Sequence, residues 1–452
     1  MSAPGAVRLC HHCGAPNPPS ALVTVCSSCS QPLEASTSAP AQEALLPPPP
    51  LPPLIGSEAL PPPPEPLAPP SDVPTTPAHS GGLRLVAASL AAALVVALGL
   101  ASVGRWLSMP LLKAQTQPAQ QWAPGAAQAQ TPSEVKYTFG EWQEFDVVSR
   151  LDIASGTCQI RDLEAWVPAP QRTWLQEVVS IQGGMETGAL GARAEWVTEP
   201  EHGNAIAHVA LANAGPGRSD ALVIKARIAV REVRAEPVEG VDPAVVDYDR
   251  NDQMVKLYLR PELCLEADDP AVVARMRELV GEEQRVWQIA RLCHDHVVQR
   301  LKYQSTQGRM RGARHACVEG WGEAGEYAAL FVALCRAAGV PGRPLVGRSG
   351  LTGPNEAWHC WAEFMLPGGA WVPVDTNASQ GAPAGQPDWF GRMEAARCVL
   401  AVNYNLLLPP RPPTWLLPPE GRTGLLQTLT WGWHGVGTDL TCAQSIKFSR
   451  AG

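Results

Sequence analysis

The stretch GEAGEYAALFVALCRAAGVPGR, Gly322 to Arg343, decides how the second half of this chain is read. Ala324, Tyr327, Ala328, Phe331 and Cys335 recur at three- and four-residue steps, as do Tyr327, Leu330, Leu334 and Ala338. Two overlapping stripes give an apolar face broader than a surface helix needs, so the spacing predicts a buried helix. Gly339 and Pro341 end it. Gly322 precedes it, which puts residue 324 in the first turn. A thiol there would meet exposed N–H groups and the positive end of the helix dipole, which lower its pKa. Position 324 holds alanine.

Downstream, AWHCWAEFMLPGGAWVPVDTN reads as a hairpin. His359, Trp361 and Glu363 alternate with Cys360, Ala362 and Phe364, Leu366 to Gly369 form the turn, and Trp371 to Asp375 run back. Pairing about that turn sets Asp375 near opposite His359, and cross-strand partners share a face. A carboxylate there fixes the imidazole tautomer and stabilises its charged form, as a catalytic triad requires; a purely structural His–Asp hydrogen bond is the plainer alternative.

Together the two stretches resemble the transglutaminase-like superfamily, whose core is papain-like. The family helix reads GxCxxYAxLFxALxRAxGIPxR, and this chain supplies Gly322, Tyr327, Ala328, Leu330, Phe331, Ala333, Leu334, Arg336, Ala337, Gly339, Val340, Pro341 and Arg343. The family hairpin HxWxE…WVPVD is matched by His359, Trp361, Glu363, Trp371 and Asp375. The resemblance covers residues 135 to 410 and implies acyl-transfer or peptide-bond chemistry through a Cys–His–Asp triad, with a peptide or protein segment in the cleft. The departure is Ala324 at the nucleophile position, since a methyl group cannot attack a carbonyl. Cys317 is the nearest fallback nucleophile, but seven helical residues would hold it about 10 Å back along the axis. Gly320 and Gly322 break that helix, so only a returning loop could bring Cys317 in. Cys335 reads as core, and Cys360 points to the other sheet face from His359.

Working outward, residues 135–262 read as a β-sandwich-like domain. Its clearest strand, ALVIKARIAVREV, puts Leu222, Ile224, Ala226, Ile228 and Val230 on one face. The transglutaminase-like core takes 263–409, and a strand-rich tail 410–452. Two helices open the core, one from Asp269 with Pro270 in its first turn to Gly281, the other from Glu283 to Leu301. His294 and His296, two apart, point to different faces and are not read as metal ligands.

Residues 1–33 contain CHHC and CSSC. Cys10, Cys13, Cys26 and Cys29 are spaced as two thiolate pairs, which suits a closed tetrahedral zinc site, with two disulfides or a redox CxxC as the alternatives. This stretch resembles the small zinc ribbons of bacterial membrane proteins, with Ser30 in place of the usual second glycine. Residues 34–83 are a Pro-rich linker that favours extended polyproline conformation and reaches about 140 Å at roughly 3.1 Å per residue. Residues 84–104 hold the uncharged run LVAASLAAALVVALGLASV, about 28 Å of helix, read as a single transmembrane helix. Residues 105–134 are a flexible tether. Thiolate sites keep best in a reducing compartment, so the ribbon is placed in the cytoplasm and the globular region outside.

The formal charge is −8 and no basic tract occurs, which argues against nucleic acid as a partner. The fold expected is α+β: a transglutaminase-like core preceded by a β-sandwich, with a small N-terminal zinc ribbon and one transmembrane helix.

Overall fold

The computed structural model describes residues 135–306, 309–382, 388–417, 422–423 and 430–452, together with two short strands near the N-terminus. Those strands, Arg8–Leu9 and Pro16–Asn17, pair antiparallel, and Cys10 and Cys13 fall between them in sequence. The four ribbon cysteines, the Pro-rich linker, the apolar run 84–104 and the tether lie outside the described residues. Among the described residues no helix is long and apolar enough to cross a membrane.

Alternation of apolar and polar residues builds two four-stranded antiparallel sheets. One has the order β18-β3-β6-β5, from Thr430–Val436, Gln159–Pro168, Ala205–Ala214 and Arg193–Thr198. The other has the order β19-β2-β7-β4, from Thr441–Arg450, Gln143–Ala154, Ser219–Val230 and Gln176–Met185. Leu151, Ile160, Leu163, Val209, Leu222 and Ile224 fill the space between them. The inward face of β7 serves two cores. Its first half, Leu222 and Ile224, meets the opposite sheet, while Ala226, Ile228 and Val230 pack with Leu351, Cys398 and Leu400. The C-terminal tail adds one edge strand to each sheet.

The helices are α1 (Gln253–Leu259), α2 (Pro270–Val280), α3 (Val286–Arg300), α4 (Gly312–Glu319), α5 (Ala324–Ala337) and α6 (Thr376–Gln380). Asp269 caps α2, its side chain accepting from the Ala271 N–H, and Pro270 occupies the first turn, where its missing donor costs nothing. In α5 twelve of fourteen residues are buried. It is the central helix, and each fully buried Leu or Phe on it contributes about 1.5–3 kcal/mol.

Helix α5 packs on a four-stranded antiparallel sheet of order β13-β12-β11-β15, from Trp371–Val374, Ala357–Met365, Gly342–Ser349 and Arg397–Val402. A three-stranded sheet, β14-β8-β1, joins Arg392–Met393 of the core to Val233–Pro237 and Val135–Phe139. The outer edge of β15 is sealed by buried amides. Gln176 and Asn204 accept from the N–H groups of Val399 and Val402, and Gln171 donates to the Leu400 carbonyl. Side chains thus do what another strand would do, and an open edge is closed.

Candidate active site

Strand β12 carries His359, but the expected pairing with Asp375 is not the one formed. The register runs Ala362↔Val374 to Met365↔Trp371, so Asp375, just past the end of β13, would lie level with Trp361 rather than His359. Asp375 leaves the strand and becomes the N-cap of α6. Its Oδ1 accepts from the Ala378 N–H at 2.8 Å. That turn carries Oδ2 to 2.7 Å from His359 Nε2. The pair forms because a helix cap aims the carboxylate.

Asp375 Oδ2 also accepts from Arg397 Nη1 at 2.6 Å, and Arg397 Nε donates to Glu394 at 2.7 Å. Burial works to raise the Asp375 carboxyl, yet the charges of His359 and Arg397 and the Ala378 N–H hold it well below the usual carboxylate range. Asp375 is fully buried and the His359 side chain is 12% exposed. With Nε2 engaged, Nδ1 is the ring atom left for a partner. Trp361 stacks beside the imidazole and lies under the Arg397 guanidinium. Opposite His359 on β11 stands Gly347, where a Cβ would fall 1.8 Å from the Cys398 carbonyl oxygen. Only glycine lets β15 approach there.

The turn that aims Asp375 is itself pinned. Ser379 Oγ donates to the Asp375 carbonyl, accepts from the Trp389 N–H, and lies 2.9 Å from His294 Nε2. Tyr327 donates to Gln380 at 2.6 Å, and Gln380 donates to the Val298 and Leu301 carbonyls. Of these supports only Tyr327 stood in a recognisable motif. Arg397 and His294 carry no local signal, since their roles depend on contacts 22 and 85 residues away.

Ala324 is the first residue of α5, half-buried, with Glu323 as N-cap. Its neighbourhood is tied to β12 through Tyr404, which donates to the Gly325 carbonyl at 3.1 Å and contacts the Cys360 thiol. The helix start is already occupied electrostatically. Glu323 accepts from the N–H of Glu326, and Glu326 from the N–H of Glu323 at 2.9 Å, a reciprocal capping box. Glu326 also accepts from the Arg311 N–H, and Glu323 from Ser305 and Thr306. Burial raises the Glu326 carboxyl. The helix end expected to favour a thiolate thus carries two acidic side chains, and one of its first-turn donors, the Glu326 N–H, is already met by Glu323.

Cys317 lies on α4 with its thiol directed at the Ala271 carbonyl of α2, 3.6 Å away. Burial raises its pKa, and the charges about it are those of Arg275, Asp269 and Arg300, none of which touches His359. Gly320 caps α4 in the left-handed conformation, φ 74°, which separates Cys317 from α5. Cys335 is fully buried, and burial pushes Cys360 up to about 12.

The motif residues Arg336, Arg343 and Glu363 serve the fold. Arg336 donates to the Gly342 and Arg260 carbonyls and to Asn403. Arg343 and Glu363, each 1% exposed, pair at 2.6 Å, and Trp174 donates to Glu363. Two described clusters have metal-like composition, Glu199–Glu201–His202 and His294–Asp295–Asp388. Arginines take most of these carboxylates, Arg260 and Arg422 on Glu201 and Arg291 on Asp295 and Asp388, while Glu199 accepts from the Glu201 and His202 N–H groups.

No curated protein matches the chain. Among solved structures, a candidate cysteine protease from Cytophaga hutchinsonii aligns at 14% identity over 70% of this chain and 93% of its own, with a TM-score of 0.44. The periplasmic domain of TgpA from Pseudomonas aeruginosa, bound to ethylmercury, aligns at 15% identity over 52% of this chain and 90% of its own, with a TM-score of 0.26. Residues 273–376, which carry Ala324, His359 and Asp375, match the model of the transglutaminase-like superfamily, and this part of the chain is a transglutaminase-like domain.

Proposed function

We propose that this chain is a membrane-anchored transglutaminase-like protein that has lost acyl transfer and holds a peptide or protein segment in the former catalytic cleft. The observation that carries this reading is a His359–Asp375 pair kept at 2.7 Å while the first position of α5 is alanine. Covalent acyl transfer needs a nucleophile that forms a bond to the carbonyl carbon, and a methyl group has no electron pair to give. The capping box reinforces the point, because the Glu326 N–H in the first turn already answers the Glu323 carboxylate. The alternative, an active acyltransferase or cysteine peptidase using Cys317, is disfavoured by a thiol turned toward Ala271.

Anchoring rests on the uncharged run within 84–104, and the zinc assignment on the thiolate pairs Cys10/Cys13 and Cys26/Cys29. Four thiolates fit zinc, whose binding would supply the folding energy that so short a segment lacks. The cytoplasmic ribbon and extracytoplasmic globular region follow from thiolate chemistry.

Restoration tests the function. The wild-type globular region should hydrolyse and crosslink no peptide. Ala324→Cys should add one thiol that reacts with iodoacetamide faster than the buried cysteines, and His359→Ala in that background should slow the labelling. Wild-type turnover abolished by Cys317→Ser would overturn the proposal in favour of the alternative.

A further inference from the structure

Two arginines beside this site have no carboxylate partner among the described residues. Arg234 on β8 and Arg392 on β14 are direct cross-strand partners, and their neighbours Val233 and Met393 point inward and are buried. Both arginines therefore stand on the outer face, one exposed and one half-buried. Like charges directly opposite on a sheet repel. Of the carboxylates nearby, Glu394 is engaged with Arg397, Asp388 with Arg291, and Asp375 with Arg397 and His359, while the exposed Glu232 and Glu236 flank Arg234 two residues away on either side. Farther along the same face Glu236 stands opposite Lys136. In a chain of net charge −8 this is a local surplus of positive charge.

The pair is continuous with the candidate site. The Trp389 ring has the Arg392 guanidinium 5.1 Å from its centre and that of Arg397 5.7 Å away. The Trp389 carbonyl accepts from the Asp375 N–H at 2.9 Å. Packing thus links His359 through the buried Asp375 and Arg397 to Trp389, and from there to Arg392 and Arg234 at the surface.

We propose that Arg234 and Arg392 form a carboxylate subsite, so that the segment held in the cleft is an acidic peptide whose Asp or Glu side chain bridges the two guanidiniums while its backbone crosses Trp389 toward His359. Two planar forks match one carboxylate, and bridging removes the repulsion that the unliganded pair bears. This rests on the peptide-holding reading and names its ligand class.

The test uses the full chain with fluorescein-labelled hexapeptides, one rich in glutamate and an isosteric one rich in glutamine, read by anisotropy. The glutamate peptide should bind about tenfold or more tighter, since bonds to charged groups exceed neutral ones by that order. That advantage should shrink with added salt. Arg392→Gln and Arg234→Gln should each reduce the glutamate peptide to the glutamine level while leaving Tm unchanged or raised, because a like-charge contact is removed. A loss of Tm that accounts for the lost binding overturns the subsite, as does equal affinity for both peptides. Equal binding that still protects the thiol of the Ala324→Cys variant from iodoacetamide leaves the peptide-holding reading standing and overturns only the acidic preference. Binding of neither peptide overturns both.

Discussion

Asp375 shows how much one side chain carries. One oxygen caps α6, and the other serves both His359 and Arg397. His359 and Arg397 together offset the burial of its charge and hold the carboxylate ionised in a fully buried position. Arg397→Met should therefore leave a buried, poorly compensated carboxylate and cost about 3–5 kcal/mol in denaturant unfolding. Adding Asp375→Asn should recover much of that loss, since the double variant buries no lone charge. Additive losses in the double-mutant cycle would show the two residues to be uncoupled. A helix-capping aspartate is legible in the sequence VDTNAS; its salt bridge to residue 397 is not, because nothing local distinguishes Arg397 from any surface arginine.

Among the elements α5 is the most informative. Its apolar stripes, its end at Gly339 and its match to the hairpin were readable because period and burial coincide. The capping box too has a local signature, an acid followed three residues later by another. It has a chemical consequence. In the Ala324→Cys background the new sulfur would share the helix start with Glu323 and Glu326, and nearby carboxylates disfavour a thiolate. Replacing Glu326 with Gln should lower the thiol pKa and speed iodoacetamide labelling severalfold at pH 7. Unchanged labelling would mean that His359 alone governs the site. The hairpin register differs by two residues from the one the sequence suggests, because a turn of LPGG leaves pairing undecided by a residue or two and only the packed sheet fixes it.

For the whole molecule, sandwich and core meet at buried polar groups, of which His202 is the most sensitive to pH. It lies between β5 and β6, 3.3 Å from the Tyr258 hydroxyl and 3.0 Å from the Asn403 amide. Burial, with Arg336, Arg260 and Arg343 nearby, outweighs Glu201 and lowers its pKa from 6.5 to about 3. The folded state therefore favours neutral imidazole. Its contribution is complete above pH 6.5 and is lost as the pH falls toward 3, at up to about 1.4 kcal/mol per unit. Thermal unfolding between pH 7 and 4 should show that slope, and His202→Gln should flatten it. An unchanged slope would assign the acid sensitivity to other groups.

The sequence by itself determined what depends on local periodicity and spacing: the central helix and its ends, the alternating strands, the His359 hairpin, the alanine at residue 324, and paired thiolates ahead of an uncharged run. Neighbours along the chain impose those features. Only the tertiary structure decided what depends on residues far apart meeting in space. It set Arg397 on Asp375, His294 and Tyr327 behind the turn that aims it, Cys317 against α2, and Arg234 opposite Arg392. Such contacts follow from how the sheets pack, and packing is a property of the assembled core that no short window of sequence contains.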